Sequence, residues 1–147
     1  MKTIAENRRA RFDYEILETM EAGVELRGFE VKSAKAGGFN LAGSYAILRN
    51  GQAWLINSQI PPYQPKNTPD GYDPSRSRRL LLHTSEIISL AGKLKDKSVH
   101  LIPLRTYIKN NLVKIELGLA RSRKKSDKRE LIKKRSAERE MMRATSR

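Results

Sequence analysis

The stretch Ser44–Asn57 reads SYAILRNGQAWLIN and carries the clearest local structural signal in this chain of 147 residues. Two alternating β-type runs, residues 44–49 and 52–57, flank the dipeptide Asn50-Gly51. Asn-Gly readily adopts the two positive φ angles of a type I′ turn, and such a turn joins neighbouring antiparallel strands. The stretch therefore predicts a β-hairpin and makes an antiparallel sheet the leading fold class.

A second hairpin is predicted over residues 99–108 and 112–119, joined by Asn110-Asn111. Its second strand alternates, with Val113, Ile115, Leu117 and Leu119 on one face and Lys114 and Glu116 on the other. This pattern is typical of a strand that has one face in a core and the other in solvent. Pro103 lacks an N–H group and indicates an edge or a bulge in the first strand.

The segments before the first hairpin predict strands and a short helix. Residues 13–27 form two extended stretches, with a bend or bulge at Gly23. Residues 28–38 have apolar side chains at helical spacing and end in a double glycine. This arrangement indicates a short helix with a glycine terminator.

The segments between the two hairpins predict a loop, a strand and a helix. Pro61–Ser77 is rich in Pro, Asn, Asp and Ser and indicates a long exposed loop. Arg79–Leu82 indicates a short buried strand, and a helix is expected to start near His83. One face of that helix carries Ile87, Leu90, Ala91 and Leu94.

Together these segments predict one domain over residues 1–120, mainly β, with six or seven strands and two or three short helices. Short antiparallel strands in a small domain favour a closed or partly open barrel, and the oligonucleotide-binding barrel is the leading candidate. The pattern does not determine the order of the strands.

Residues 121–147 form a basic C-terminal tail of different character. They carry twelve Lys or Arg against four Asp or Glu, which is +8 of the chain's net charge of +14. The tail has no Pro or Gly, but its few large apolar residues form no continuous stripe. Asp127 is a possible helix cap. Because an isolated helix without a packed face is marginal, we expect the tail to be disordered in the free protein and helical when bound.

The charge of the whole chain favours a polyanionic partner, namely RNA, DNA or an anionic membrane. The chain has no cysteine, no apolar run long enough to cross a membrane and no apolar stretch of a signal peptide. We therefore expect a cytoplasmic monomer with no membrane partner.

Signals for enzymatic chemistry are weak, and we expect no catalytic residue, no cofactor and no metal. His83 and His100 lack the paired spacing of metal ligands, and no phosphate-binding or hydrolase motif is present. The aromatic residues Tyr14, Tyr45, Trp54 and Tyr107 are either stacking platforms for unpaired bases or parts of the core.

A series of distinctive segments occurs in order along nearly the whole chain. They are Glu6-Asn7-Arg8-Arg9-Ala10-Arg11, Glu21-Ala22-Gly23, Gly28-Phe29-Glu30-Val31-Lys32-Ser33, Leu80-Leu81-Leu82-His83, Gly92-Lys93, Pro103-Leu104, Tyr107-Ile108-Lys109-Asn110, Leu117-Gly118-Leu119-Ala120 and Asp127-Lys128-Arg129. With these segments at matching spacings, the chain closely resembles the bacterial SmpB, or SsrA-binding protein, family. The resemblance implies an oligonucleotide-binding-type barrel and a non-enzymatic role in trans-translation. In that role the protein binds the tRNA-like domain of transfer-messenger RNA (tmRNA) and delivers it to stalled ribosomes.

The resemblance also implies which residues contact the RNA. The family's RNA-binding positions correspond to Asn7, Glu21, Leu81 and Lys114, although Leu81 could equally be core and Glu21 could equally orient an arginine. The predicted set also includes basic residues of the matched segments, namely Arg8, Arg9, Arg11, Lys32 and Lys109.

The tail is implied to enter the empty mRNA channel and decoding region of the small subunit, where it meets ribosomal RNA and folds as a helix. The protein would thereby stand in for the missing anticodon arm of the RNA. The residues expected to take this role are Arg121, Arg123, Lys124, Lys125, Asp127, Lys128, Arg129, Lys133, Lys134 and Arg135. Ser126 departs from the family, which commonly has an aromatic residue or histidine before Asp-Lys-Arg. Serine has no ring to stack on a base and can only form a hydrogen bond or cap a helix.

Two other classes of function compete with the rescue adaptor. One is a structural ribosomal protein with a basic arm, which would bind ribosomes stoichiometrically without tmRNA. The other is an RNA-processing enzyme, which would need a metal or a general base that the sequence does not offer.

Overall fold

Seven strands form one antiparallel sheet in a computed structural model that describes residues 1–64, 66 and 68–145. The strands are β1 (Lys2–Glu6), β2 (Tyr14–Val24), β3 (Tyr45–Arg49), β4 (Gln52–Ile56), β5 (Arg78–Leu81), β6 (Val99–Lys109) and β7 (Leu112–Ser122). The helices are α1 (Ala10–Asp13), α2 (Gly28–Ser33), α3 (Thr84–Lys93) and α4 (Lys125–Thr145), and a π-helical turn, Ala34–Gly38, continues α2. Pro65 and Asn67 of the predicted loop and the last two tail residues lie outside the described residues.

Six of the strands close into a barrel. The hydrogen-bonded order is β6-β3-β4-β5-β2-β7, and β7 pairs again with β6. Strand β1 lies outside this ring and pairs only with the second half of β6, for example Lys2 with Ile108. The predicted small antiparallel barrel with short helices and a basic C-terminal segment is confirmed.

Both predicted hairpins are present, because each is built on a local turn. In the first, Arg49 pairs with Gln52, and φ is 52° at Asn50 and 71° at Gly51. In the second, Asn110 and Asn111 have φ values of 52° and 63°. Positive φ at both central positions is the geometry of the type I′ turn, which matches the twist of the flanking strands.

The bulge predicted at Pro103 is also present. The register between β6 and β7 shifts between Pro103 and Arg105, which leaves Leu104 as the extra residue. Gly118 lies under this bulge, and a Cβ atom there would be 3.1 Å from Leu104 Cδ1. The Leu104 side chain would therefore have to shift slightly to admit any side chain at position 118.

Two local predictions are wrong. Residues 14–24 form one continuous strand without a break at Gly23, because β7 pairs along almost all of β2, and the register shifts instead between Ile16 and Glu18. Strand β5 is not buried throughout but alternates, with Arg78 and Leu80 inside and Arg79 and Leu81 outside. An arginine rather than an apolar residue thus begins the inward face of that strand.

The core fills the barrel with alternate side chains of its strands, and α3 contributes the buried Leu90 from the face predicted for it. The large side chains that are almost fully buried there are Phe39, Leu41, Leu55, Ile60, Leu80, Leu101, Ile115 and Leu117. A second, smaller cluster lies beneath α1 and contains Ala10, Ile102, Leu104 and Ala120. This cluster holds α1 against the outside of β6 and β7.

A buried ionic cluster ties α2 to the loop before β5. The side chains of Glu30 and Arg78 are both inaccessible to solvent, and Arg78 Nη2 lies 2.8 Å from Glu30 Oε2. The Tyr72 hydroxyl donates to the same carboxylate over 2.9 Å, and Arg76 forms a second ion pair with it. The predicted loop is therefore mostly exposed along its described part but fixed to the domain at its C-terminal end.

The tail is a long helix in the structure. Strand β7 ends at Ser122, and α4 begins at Lys125, two residues before the predicted cap at Asp127. Asp127 lies in the first turn instead and accepts a 3.4 Å hydrogen bond from the Lys124 N–H. Among the described residues, no helix is both long enough and apolar enough to cross a membrane.

Candidate nucleic-acid interface

A row of paired residues crosses four strands on the outside of the barrel. Leu81 on β5 pairs with Gly23 on β2, Gly23 pairs with Lys114 on β7, and Lys114 pairs with Tyr107 on β6. Directly paired residues in an antiparallel sheet project to the same face. Positions that are far apart in sequence therefore meet on one surface, which we call the outer face.

Leu81 is an apolar contact point of the outer face, since its side chain is 47% exposed. It lies over Gly23, where a Cβ atom would be 3.3 Å from Leu81 Cβ. Of the two alternatives for Leu81, the structure excludes the core position.

Glu21 lies two residues before Gly23 on the same face and is held by two side chains of β6. The Tyr107 hydroxyl donates a short hydrogen bond to Glu21 Oε2, and Lys109 Nζ lies 3.3 Å from the same oxygen. The Tyr107 bond lowers the pKa of Glu21, more than partial burial raises it, and Lys109 lowers it further. Glu21 is therefore an anchored carboxylate, and its second oxygen, Oε1, accepts a long 3.5 Å hydrogen bond from Lys109 Nζ. Its partners are a tyrosine and a lysine rather than an arginine.

Glu116 and Arg105 extend the outer face towards α1. Arg105 Nε lies 3.5 Å from Glu116 Oε1, and Arg11 Nη2 lies 3.9 Å from the same oxygen. The Arg105 guanidinium also lies 4.9 Å from the centre of the Tyr107 ring. Arg105 and Glu116 were not among the predicted site residues, although both occupy outward positions of predicted strands.

Asn7 fixes the chain before α1 to the bulge of β6. Its backbone N–H donates to Leu104 O over 2.8 Å, and its side-chain amide donates to Pro103 O over 3.0 Å. The amide donor thus has a structural partner, while Oδ1 makes no hydrogen bond within the described chain. Asn7 is held at the rim of a cleft of about 530 Å³ that is also lined by Glu6, Arg8, Arg11, Leu104, Arg105, Glu116 and Arg135.

Seven of the nine predicted RNA-binding residues lie on the outer face or in the adjoining cleft: Asn7, Arg8, Arg11, Glu21, Leu81, Lys109 and Lys114. Lys114 makes no ion pair in the described structure, which leaves its ammonium group available for a phosphate. The structure does not bring Arg9 and Lys32 to this surface. Arg9 turns towards Asp13, at 3.5 Å, while Lys32 is exposed on α2 and has no hydrogen bond or ion pair among the described residues.

Most of the predicted tail residues project into solvent. Lys124, Lys125, Asp127, Arg129, Lys133, Lys134 and Arg135 are all exposed. The two predicted residues nearest the barrel have partners on it. The exposed Arg121 lies 3.8 Å from Asp96, and the guanidinium of the half-buried Arg123 donates to Arg11 O over 3.4 Å.

The start of α4 contacts α1. Lys128 Nζ lies 3.1 Å from Asp13 Oδ1, and the ring of Phe12 has three cations near it. Lys128 and Arg9 each lie 5.7 Å from the ring centre, and Arg135 lies 6.0 Å away. Phe12 was not among the predicted residues, and its only signal in the sequence is an aromatic residue within a basic segment.

The aromatic residues considered as stacking platforms have different environments. Tyr107 is buried, and Tyr14 packs edge-on against His100 with ring centres 5.8 Å apart. Tyr45, in contrast, is 41% exposed. Only a ring with an open face can stack on an unpaired base, which favours Tyr45 among these three.

Comparison with known protein families identifies the family of this chain. The model of a family described as "SmpB protein" matches residues 4–147. The chain belongs to the SmpB family. The resemblance found in its sequence segments is therefore confirmed over nearly the whole chain.

Several relatives carry the name SsrA-binding protein. That of Gloeothece citriformis is 52% identical to this chain, and the match covers 99% of this chain and 94% of the relative. That of Chlorobaculum tepidum is 54% identical over 95% of this chain and 88% of its own length. SmpB relatives at this level of identity span the barrel and the tail together.

A solved SmpB structure agrees with the fold. A chain from the structure described as "tmRNA-SmpB: a journey to the center of the bacterial ribosome" is 48% identical to this one. The two superpose with a TM-score of 0.67 over 82% of this chain and 85% of the other.

Proposed function

We propose that this protein is a non-enzymatic adaptor of trans-translation, which binds the tRNA-like domain of tmRNA and brings it to stalled ribosomes in the cytoplasm. The observation that carries the proposal is the convergence of Asn7, Glu21, Leu81 and Lys114 on one connected surface. Its membership of the SmpB family and its similarity to a solved tmRNA-SmpB chain support the same role.

The outer face offers three kinds of contact to folded RNA. Lys114 and Lys109 are suited to phosphate groups, and neutralising phosphates releases bound counterions. Leu81 can pack against a base or sugar. The anchored Glu21 carboxylate can accept hydrogen bonds from base amino groups, which are the donors that acidic side chains recognise.

Phosphate contacts also fit the cleft beside α1. Arg8 and Arg11 line it together with Arg105. Phosphate contacts position a protein on its nucleic acid, whereas contacts with base edges provide selectivity. In this proposal the cleft positions the RNA backbone, and Glu21 and Leu81 recognise the RNA's particular shape.

The tail is proposed to enter the empty mRNA channel. Helix α4 has 21 residues and would span about 30 Å at about 1.5 Å per residue. Its exposed basic side chains have little to contact within the protein, as expected of a segment whose binding surface is RNA. An mRNA in the channel would exclude the tail, so only empty ribosomes would accept it.

The test compares the full chain with a chain that ends at Lys124, which keeps all of β7. We expect the shortened chain to retain most of its affinity for the tRNA-like RNA but to lose tagging of a stalled nascent chain. Filter binding and a reconstituted translation assay give the two measurements. Equal tagging by both chains would refute the tail mechanism. If neither chain bound the tRNA-like RNA, the adaptor role would be refuted.

A further inference from the structure

Helix α1 and the residues before it serve two surfaces at once. Asn7, Arg8 and Arg11 line the cleft beside the outer face. Phe12 and Asp13, on the same short segment, contact the first three turns of α4. We call Phe12 and Asp13 the tail clamp. Because Arg135 of α4 also lines the cleft, the helix held by the clamp lies directly beside the proposed RNA surface.

The clamp holds the tail by charge rather than by apolar packing. Asp13 Oδ1 lies 3.1 Å from Lys128 Nζ, and Asp13 Oδ2 lies 3.5 Å from Arg9 Nε. The Phe12 ring attracts cations through its electron-rich face, which is effective within about 6 Å of the ring centre. Neither clamp residue belongs to the two apolar clusters of the barrel.

The cations held by the clamp are the ones expected to bind RNA. Lys128 and Arg135 belong to the predicted ribosome-binding set, and Arg9 belongs to the predicted tmRNA-binding set. Each of these side chains can face the clamp or a phosphate, but not both at once. The Lys128–Asp13 pair is partly exposed, with side-chain exposures of 32% and 29%. Ion pairs and cation–π contacts at a protein surface are individually weak, so a polyanion can displace them.

We propose that Phe12 and Asp13 form a phosphate-released clamp that keeps the start of the tail on the barrel until RNA competes for its cations. The docked helix exchanges with the disordered tail, and phosphate binding by Lys128, Arg135 and Arg9 opens the clamp. The choice of tmRNA and ribosome as the natural polyanions rests on the proposed function, whereas the clamp itself requires only phosphate chemistry.

The first experiment measures binding of an oligouridylate of about twelve nucleotides to Phe12→Ala, a change that leaves the charge unaltered. We expect binding about threefold tighter than that of the wild type, with a steeper salt dependence. Each cation that becomes available adds about 0.7 to the slope on single-stranded RNA. The control is Ile88→Ala, which removes an exposed apolar side chain on α3, away from the clamp. It should bind like the wild type.

The same change in the chain that ends at Lys124 should have a much smaller effect, because two of the three clamped cations, Lys128 and Arg135, are absent and Arg9 alone of the three remains. An unchanged affinity of full-length Phe12→Ala, or an equal gain in the shortened chain, would overturn the clamp. A second variant, Asp13→Asn, tests the ion pair separately. It is compared with Glu15→Gln, which removes the same charge from a neighbouring exposed position. Asp13→Asn should increase the affinity for oligouridylate more than Glu15→Gln does.

A second experiment detects the docked state directly. Glu15 and Leu131 line one cleft between β2 and α4, and the chain has no cysteine of its own. A Glu15→Cys, Leu131→Cys variant treated with a short bismaleimide should crosslink efficiently. The crosslinking yield should fall when oligouridylate is added, and it should also fall when the Phe12→Ala substitution is introduced. A yield insensitive to both would contradict the clamp.

The two proposals can fail independently. Neither clamp experiment uses tmRNA or ribosomes, so a negative result there leaves the adaptor role intact. Conversely, if the tagging assay refuted the adaptor role, the clamp would still be judged by the crosslinking yield and by the affinity of Phe12→Ala.

Discussion

At the scale of single residues, the outer face depends on side chains that are held in place by their neighbours. Glu21 is oriented by the Tyr107 hydroxyl, and Leu81 lies across the space that a side chain at Gly23 would occupy. Lys114 has no ion-pair partner among the described residues. Glu21 and Leu81 are thus ordered before RNA binds, which lowers the entropy cost of binding.

Replacing Lys114 tests the phosphate contact. Lys114→Gln should lower the affinity for the tRNA-like RNA about threefold to tenfold and reduce the slope of log affinity against log salt by about 0.9. The reason is that one phosphate contact, with its released counterion, is lost. Binding isotherms at four or more salt concentrations provide the measurement.

Lys93→Gln is the matched control, because Lys93 pairs with Glu18 instead of standing alone. That variant should keep the wild-type slope. An unaltered slope in Lys114→Gln would remove Lys114 from the phosphate contacts even if the affinity fell.

At the scale of secondary-structure elements, the ionic cluster at Glu30 joins α2 to β5. Burial raises the pKa of Glu30, but Arg76, the Arg27 N–H and Arg78 lower it more, to about 2 from the usual 4.5. A carboxyl group whose pKa is depressed by folding stabilises the native state above its unfolded pKa. That contribution is lost as the pH falls from about 4.5 towards about 2.

Glu30→Gln should therefore destabilise the fold at neutral pH, by about 3 to 5 kcal/mol, since it leaves the buried Arg78 without its charge partner. Urea unfolding followed by circular dichroism at pH 7 and at pH 3 measures the effect. The difference from the wild type should shrink at pH 3, because Glu30 is already protonated in the unfolded chain there, so that its depressed native pKa stabilises the wild type less. Glu15→Gln, at an exposed position, should change the unfolding free energy little at either pH. A constant difference across pH would contradict the depressed pKa.

Local elements were predictable where the information is local. Asn50-Gly51 and Asn110-Asn111 specify their turns without help from the rest of the chain. The continuity of β2 could not be predicted in this way, because it depends on pairing with β7, about a hundred residues later. The burial of Arg78 could not be predicted from local sequence either, because its partner Glu30 lies 48 residues away.

The tail helix shows the same limit. Its sequence lacks an apolar stripe and predicts disorder in isolation. The contacts that hold α4 come instead from Phe12 and Asp13, more than a hundred residues earlier. In the clamp proposal, helix formation in the tail is therefore coupled to these contacts.

At the scale of the whole molecule, barrel closure assembles the candidate site. The family resemblance pointed to Asn7, Glu21, Leu81 and Lys114 individually, but no local pattern in the sequence places them together. The cross-strand register does so, and it also adds Arg105 and Glu116 between them. The residues of the candidate site could thus be proposed from the family resemblance, whereas their arrangement on one surface followed only from the order of the strands.

Neighbouring strands of the barrel are paired to different extents, so the free energy of local opening should also differ from strand to strand. Strands β6 and β7 are paired along almost their entire length, whereas β3 meets β6 only at Ala46 and Leu101. Local opening of a protein starts where the fewest hydrogen bonds and contacts must break. The seam between β3 and β6 is therefore expected to open before the rest of the barrel.

Native-state hydrogen exchange measures this difference. The amides of β3 should exchange faster than those in the middle of β7, such as Ile115 and Leu117, because opening the seam leaves the hairpin of β6 and β7 intact. Binding of the tRNA-like RNA to the outer face should slow exchange around Lys114 and Glu21 more than exchange in β3, since that face lies on β2, β7 and β6. Equal protection of β3 and β7 in the RNA-free protein would show instead that the barrel opens as one cooperative unit.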